Sequence, residues 1–100
     1  MNEISIKNLA SLDGLNLIDI RANYLYVRGS LPFAVNIPYQ SLKSYPNNYL
    51  KRNEEYYLFC ESGIESKKLS NYLNALGFNT YSIKEGYLEI KNNNWPKICL

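Results

Sequence analysis

Short apolar runs recur along the chain and predict the strands of a sheet. They cover residues 4–6, 15–20, 34–37, 56–60 and 81–83. The fourth run is almost continuously apolar, which is typical of strands covered on both faces, as in parallel sheets. The first run is expected to form an edge strand, and the last is the weakest of the five.

A helix is predicted between the fourth and fifth of these runs. Leu69, Leu73 and Leu76 recur at i, i+4 and i+7, and Tyr72 extends the same face. Gly77 follows as a left-handed stop signal. The spacing therefore predicts an amphipathic helix that ends just before Gly77.

A shorter helix is expected within residues 39–50. Leu42 and Tyr45 are predicted to face inward, and Pro46 is predicted to end the helix. Strands that alternate with helices favour the α/β class with a central, mainly parallel sheet of about five strands.

The composition fits one soluble globular domain over residues 1–100. Hydrophobic residues make up 46% of the chain and charged residues 20%. The net charge of +2 comes from 11 basic and 9 acidic residues that are scattered too evenly for a nucleic-acid footprint. No apolar run approaches the ~18–20 residues of a membrane span. We therefore expect neither a nucleic-acid nor a membrane partner, and, without a signal-peptide pattern, a cytoplasmic location.

The chain contains no histidine, and this narrows its chemistry. Ser-His and Cys-His catalytic pairs and all His-ligated metal sites are excluded, so we expect no metal and no cofactor. The two cysteines, Cys60 and Cys99, do not form the pattern of a disulfide framework and are expected to be reduced. Cys99 is interpreted as an incidental cysteine near the C-terminus.

Cys60 is the candidate nucleophile, because it follows the fourth predicted strand and precedes the helix. Ligands of parallel sheets bind at this end of the strands, and a helix N-terminus with free N–H groups favours thiolate. Gly63 lets the backbone turn so that the N–H groups form an anion-binding nest, and Ser66 is predicted to cap the helix. The predicted substrate-binding loop consists of Glu61, Ser62, Gly63, Ile64, Glu65 and Ser66.

A second interpretation of Cys60 stands beside the first. A cysteine after an apolar strand is often only a small buried hydrophobic residue. Glu61 and Glu65 disfavour thiolate by their negative charge. Lys67 and Lys68 either offset these carboxylates or form a solvated helix face.

Three stretches resemble the rhodanese-like (sulfurtransferase) domain family. Cys60, Gly63 and Ser66 match the family's loop Cys-x-x-Gly-x-Arg-Ser. Residues 19–21 read Asp-Ile-Arg where the family has Asp-Val-Arg, and residues 29–38 follow its Gly-His-Ile-Pro-Gly-Ala-x-Asn-Ile-Pro segment. The resemblance covers approximately residues 4–96.

The resemblance implies a five-stranded parallel sheet with helices on both faces, and sulfur transfer as the activity. Cys60 would take a sulfane sulfur as a persulfide, cradled by the amides of residues 61–66, and pass it on. Asp19 and Arg21 would form a buried pair that supports the loop. The implied partners are a sulfur donor (a protein persulfide, a polysulfide or a small thiol) and a thiol or other nucleophilic acceptor.

The departures from the family pattern bear on the substrate. Glu65 stands where the family has its loop arginine, so the dianion thiosulfate should be repelled and thiosulfate:cyanide activity should be poor. Glu85 replaces the first glycine of a Gly-Gly pair, and Ser30 and Phe33 replace a histidine and a glycine. Phe33 either forms a wall of the pocket or packs on a surface loop.

Two functions remain open at this point. The first is a sulfurtransferase or sulfur carrier that works through Cys60. The second, which Glu65 favours, is a binding or regulatory module in which Cys60 is idle. A phosphatase of the same fold is disfavoured, because its loop is one residue longer and closes on an arginine that binds phosphate.

Overall fold

The structure is a computed structural model that describes residues 2–93. Its centre is a five-stranded sheet in which all neighbouring strands are parallel. The strands are β1 (Glu3–Ile4), β2 (Leu17–Asp19), β3 (Val35–Asn36), β4 (Glu55–Phe59) and β5 (Asn79–Ile83). The helices are α1 (Asn23–Arg28), α2 (Tyr39–Ser44), α3 (Ile64–Ala75) and α4 (Tyr87–Asn92), with 3-10 turns at Ile6–Asn8 and Pro46–Asn48.

The strand order β1-β5-β4-β2-β3 places β4 in the middle and β1 at an edge, as predicted. Each of the five predicted strands has a counterpart, but the first was predicted too late, because β1 ends at Ile4 and Ile6 begins a 3-10 turn. Strand β5 is longer than its sequence signal because it begins at Asn79. The sheet is thus all-parallel, and the α/β class is confirmed.

Alternate residues of β4 enter two separate cores, one on each face of the sheet. Leu58 packs in one core with Leu69 and Leu73 of α3, and Phe59 packs in the other with Ile83. Both β4 residues are fully buried. The continuous apolarity of this strand is therefore explained, because the pleat sends neighbouring side chains to opposite faces.

Helix α3 lies where the sequence predicts it, but its buried face is different. Leu69 and Leu73 are fully buried, whereas Tyr72 and Leu76 are 41% and 42% exposed, so their predicted inward placement is wrong. The reason is that Ser66 and Ser70 are buried on the same face as Leu69 and Leu73, so the buried face is centred away from Tyr72 and Leu76. Gly77 adopts the predicted left-handed conformation with a φ of 98°.

Helix α2 buries Leu42 and ends before Pro46, as predicted. The expectation that Tyr45 faces inward is wrong, because this residue is 63% exposed. Tyr45 has a φ of −132° and has already left the helix, so its side chain no longer follows the helical face.

Helices α1 and α4 have no counterpart among the predicted elements. Helix α1 buries none of its residues and α4 buries only Ile90, so neither carries an apolar period that a sequence pattern could reveal.

The helices within residues 2–93 all fall short of the length and apolarity that a membrane span requires. Cys99 lies outside the described residues.

Candidate active site

The sulfur of Cys60 lies at the carboxyl end of the central strand and receives two backbone hydrogen bonds. The N–H of Gly63 donates to Cys60 Sγ over 3.1 Å, and the N–H of Ser66 donates over 3.3 Å. The residue is only 4% exposed. Two N–H dipoles aimed at a buried sulfur complement negative charge on it.

Helix α3 begins beside this sulfur, at Ile64, with Gly63 as its N-cap. The prediction that Ser66 caps the helix is therefore wrong, since Ser66 is the third helical residue. The N–H groups of the first helical turn have no carbonyl partner within a helix, and the helix end carries partial positive charge. The loop thus presents backbone donors to an anion at Cys60.

The hydroxyl of Ser66 is the third polar group at the sulfur. The Cys60 thiol donates to Ser66 Oγ over 3.4 Å. The same hydroxyl donates to Gly63 O over 3.4 Å and lies 2.8 Å from Ser82 Oγ of β5. Both serines are fully buried, so the sulfur is linked to the next strand of the sheet through two hydroxyls.

The start of α4 holds the loop from the other side. The N–H of Tyr87 donates to Cys60 O over 2.8 Å, and the N–H of Leu88 donates to Glu61 O over 3.4 Å. These bonds satisfy two loop carbonyls with the first amides of α4, which have no partner within their own helix. The position of Cys60 therefore depends on α4 as well as on β4 and α3.

Two glycines allow the loop and the segment before α4 to touch backbone to backbone. A Cβ at Gly63 would overlap Lys84 O, and a Cβ at Gly86 would overlap Glu61 O. Gly63 also has a φ of 91°, a conformation that side chains disfavour. The chain can pass this closely only where a side chain is absent.

We expect Gly63→Ala to damage the loop more than Gly14→Ala damages its turn. Gly14 has a similar φ of 87°, but a Cβ there would meet no other atom within 4 Å, so this variant reports the backbone strain alone. That strain costs about 1–2 kcal/mol in either variant. The overlap with Lys84 should add about 1–3 kcal/mol at Gly63. Urea denaturation measures both, and equal losses would contradict the close packing.

Asp19 and Arg21 form a buried ion pair at the end of β2. Arg21 Nη2 donates to Asp19 Oδ2 over 2.8 Å, and Arg21 Nε donates to both carboxylate oxygens. The fully buried carboxylate also accepts from the backbone N–H of Arg21 and from Ser30 Oγ, the latter over 2.7 Å. Ser30, at the family's histidine position, is thus a partner of Asp19.

Arg21 connects this pair to the loop. Its Nη1 donates to Glu61 Oε1 over 3.1 Å, its Nη2 donates to Gly29 O over 2.7 Å, and its guanidinium lies 4.1 Å from the centre of the Tyr87 ring. Burial alone would lower the pKa of Arg21, but the bonds and charges of Asp19 and Glu61 outweigh it and raise the pKa above its ordinary value. The charge of Glu61 beside Cys60 is therefore paired.

The second carboxylate of the loop, Glu65, is also paired. Glu65 Oε2 lies 3.6 Å from Lys68 Nζ, one turn further along α3, and about half of the Glu65 side chain is exposed. Lys68 therefore partly offsets the charge of Glu65, and its own side chain is also solvated on the helix face, at 64% exposure. Such an exposed pair contributes little to stability.

Glu85, at the position of the family's first paired glycine, is an anchor for the N-terminal segment. Its carboxylate accepts a hydrogen bond from Ser5 Oγ over 2.6 Å and from the N–H of Ile6 over 2.8 Å. Burial would raise the pKa of Glu85, but these donors and Lys84 outweigh it and lower the pKa. Glu85 thus stabilises the N-terminal segment around Ser5 and Ile6.

Phe33 does not line the site. It is 58% exposed, has a φ of 70°, and borders a surface groove with Val35 and Tyr49 to which residues 60–66 do not contribute. Of the two interpretations from the sequence, the surface-loop one is correct.

A cleft of about 220 Å³ borders the loop on the side of Glu61. Arg28 and Lys91 contribute positive charge to its wall, together with the paired Arg21 and Glu61. Within residues 2–93, no group of three or more His, Cys, Asp or Glu side chains is placed to hold a metal ion.

The structure brings Cys60, the loop and the Asp19–Arg21 pair together at the carboxyl ends of the strands. Two residues of this site, Ser82 and Tyr87, are not predicted from the sequence; they contact Ser66 and Arg21, respectively. The sequence signal for Ser82 was a polar residue inside the predicted strand over residues 81–83.

Comparisons with known proteins agree with this architecture. The model of the rhodanese-like domain family matches residues 5–93. A tRNA uridine(34) hydroxylase of Acinetobacter baylyi is 32% identical over 88 residues, which are 81% of this chain and 28% of that protein. YrkF of Bacillus subtilis, whose name describes it as a candidate sulfur carrier, is 30% identical over 66% of this chain and 35% of its own length.

A solved structure has the same fold. The rhodanese-related protein of Thermoplasma volcanium superposes with a TM-score of 0.85 at 23% identity, covering 96% of each chain. The chain therefore belongs to the rhodanese-like domain family. It spans about a third or less of the length of the curated relatives it matches.

Proposed function

We propose that this domain carries sulfane sulfur as a persulfide on Cys60 and transfers it to a nucleophilic acceptor. The observation that supports this most directly is the sulfur of Cys60 at the N-terminus of α3, with the amides of Gly63 and Ser66 donating to it. Donors of this kind stabilise a thiolate, the nucleophilic form, without a histidine base.

In the loading step, the Cys60 thiolate attacks the terminal sulfur of a polysulfide or of a protein persulfide. A new S–S bond forms to Cys60 Sγ as the S–S bond of the donor breaks. The remainder of the donor leaves with the electron pair, as the thiolate of a protein persulfide or as a polysulfide that is one sulfur shorter. The outer sulfur then carries the negative charge, which the unpaired amides at the start of α3 can bind.

In the release step, a thiolate acceptor attacks that outer sulfur. The persulfide S–S bond breaks, its electron pair returns to Cys60 Sγ, and the acceptor leaves as a persulfide. The cycle involves no net oxidation and needs no cofactor. The amides of Gly63 and Ser66 stabilise the thiolate that is regenerated.

A donor that itself docks on the domain fits the site better than thiosulfate. Glu65 replaces a cation by an anion in the first turn of α3. The cleft beside Glu61, with Arg28 and Lys91 on its wall, offers a place for an anionic group of a donor or acceptor. A cytoplasmic location, where thiols stay reduced, suits this chemistry.

Intact-mass measurement tests the loading step. The protein for this test carries Cys99→Ser, so that Cys60 is the only thiol. We expect it to gain the mass of one sulfur atom after incubation with polysulfide, and the matched control, the Cys60→Ser/Cys99→Ser double variant, to gain none. A Cys99→Ser protein that gains no sulfur would refute the proposed role of Cys60.

We expect Glu65→Arg to raise thiosulfate:cyanide activity about tenfold, equivalent to ~1.4 kcal/mol of transition-state stabilisation. The substitution removes a repulsive charge and adds an attractive one near the incoming dianion. Glu65→Gln, which only removes the charge, should give a smaller increase. A steady-state cyanide assay measures all three proteins, and an unchanged rate in Glu65→Arg would mean that residue 65 does not act on the donor.

A binding or regulatory module with an idle Cys60 is the second candidate, and Glu65 at the family's arginine position is the observation that favours it. The pairing of Glu65 with Lys68 weakens that argument, because the negative charge is partly offset. The match to the tRNA uridine(34) hydroxylase covers only 28% of that protein, so the chemistry proposed is that of the shared domain.

A further inference from the structure

Ser82 carries a buried hydroxyl group whose hydrogen-bond partner is the hydroxyl of Ser66. Ser82 lies on β5, is fully buried, and has its Oγ 2.8 Å from Ser66 Oγ. No other hydrogen bond of the Ser82 side chain is found within residues 2–93. Since a buried hydroxyl proton needs an acceptor, Ser82 donates and Ser66 Oγ accepts.

With Ser82 as the donor, the hydroxyl proton of Ser66 has two possible acceptors. Gly63 O and Cys60 Sγ each lie 3.4 Å from Ser66 Oγ. When Cys60 is a thiol, its S–H donates to Ser66 Oγ and the Ser66 proton goes to Gly63 O. When Cys60 is a thiolate, the charged sulfur is the stronger acceptor, so the Ser66 proton turns to it.

We propose that Ser82 is a positioning residue that holds the Ser66 hydroxyl in place to donate to the Cys60 thiolate. By donating to Ser66 Oγ, Ser82 occupies one of its lone pairs and polarises its O–H bond toward the sulfur. The inference rests on the proposed use of Cys60 as a nucleophile. Ser82 itself does not touch the sulfur and acts only through Ser66.

A second hydroxyl pair between the same two elements provides a matched control. Ser70 of α3 and Thr80 of β5 have their hydroxyl oxygens 2.7 Å apart, and both residues are buried to the same degree as Ser66 and Ser82. This second pair has no hydrogen bond to Cys60. Removing either serine takes one oxygen from the interface of α3 with β5, but only Ser82 is connected to the sulfur.

The experiment measures the rate of Cys60 alkylation by iodoacetamide against pH, between about pH 5 and pH 9. All proteins carry Cys99→Ser, so that Cys60 is the only thiol. We expect Ser82→Ala to move the midpoint of the profile upward by about half a pH unit, which is about threefold in the thiolate fraction below the midpoint. Ser70→Ala should leave the midpoint unchanged, and Ser82→Thr, which keeps the hydroxyl, should stay near the parent.

An unchanged midpoint in Ser82→Ala overturns the inference. An equal shift in Ser70→Ala also overturns it, because the shift would then come from a general loosening of the interface between α3 and β5. If the larger Ser82→Thr does not fold, the comparison of the two alanine variants still decides. Alkylation needs no sulfur donor, so failure of sulfur transfer and failure of the Ser82 inference give different results.

Discussion

Arg21→Met is expected to lower the free energy of unfolding by about 3–5 kcal/mol, the range for removing one partner of a buried ion pair. Asp19 is fully buried and would keep only the Arg21 backbone N–H and Ser30 Oγ as donors. Glu61 would lose its cation and Gly29 O its donor at the same time. Methionine keeps most of the side-chain volume, so the loss reports polar contacts rather than a cavity.

Urea denaturation of Arg21→Met beside Lys51→Met measures this effect. Lys51 pairs with Glu54 at 3.8 Å on the surface, and its side chain is 76% exposed. Removing that charge should cost about 0–1 kcal/mol. If the two variants lost similar amounts, the Asp19–Arg21 pair would not have the structural role assigned to it.

The strands and the position of Cys60 could be predicted from the sequence because burial on both faces leaves a local signal. Leu58 and Phe59 are apolar neighbours in the chain, and each enters a different core. The first polar loop after such a strand marks the carboxyl end of the strand, which is where ligands bind in parallel sheets. Cys60 stands at that boundary, so one local pattern predicted both the strand and the candidate nucleophile.

The contact of α3 with β5 could not be predicted from apolar periodicity, because its partners near the site are hydroxyls. Four residues of helix rise about 6 Å and two residues of strand about 6.6 Å. Ser66 and Ser70 therefore face Ser82 and Thr80 in register. A pattern that counts only apolar residues assigns Tyr72 to the buried face instead.

The charge state of the loop could not be predicted either, because pairing across the fold is not local. Glu61 meets Arg21, which is 40 residues earlier in the chain, and this arginine is held by Asp19. The sequence shows two carboxylates near Cys60, whereas the structure shows two ion pairs. These ion pairs reduce the negative charge that acts on Cys60, so the two carboxylates oppose a thiolate less than the sequence implies.

Cys60→Ser is expected to abolish sulfur transfer completely, because the alcohol neither ionises at neutral pH nor forms a stable bond to sulfane sulfur. The serine oxygen can still accept from the amides of Gly63 and Ser66, so the fold should be kept. Urea denaturation of Cys60→Ser checks this, and a retained free energy of unfolding separates a lost nucleophile from a lost structure.

A single turnover of isolated, sulfur-loaded protein tests sulfur transfer through Cys60 most directly. Cys99→Ser protein is loaded with polysulfide, freed of the donor, and mixed with a small thiol acceptor. We expect the protein to lose the mass of one sulfur atom while the acceptor gains one, and the Cys60→Ser/Cys99→Ser double variant to do neither. A protein that never loads, or that loads and keeps its sulfur in the presence of thiol acceptors, would contradict sulfur transfer through Cys60.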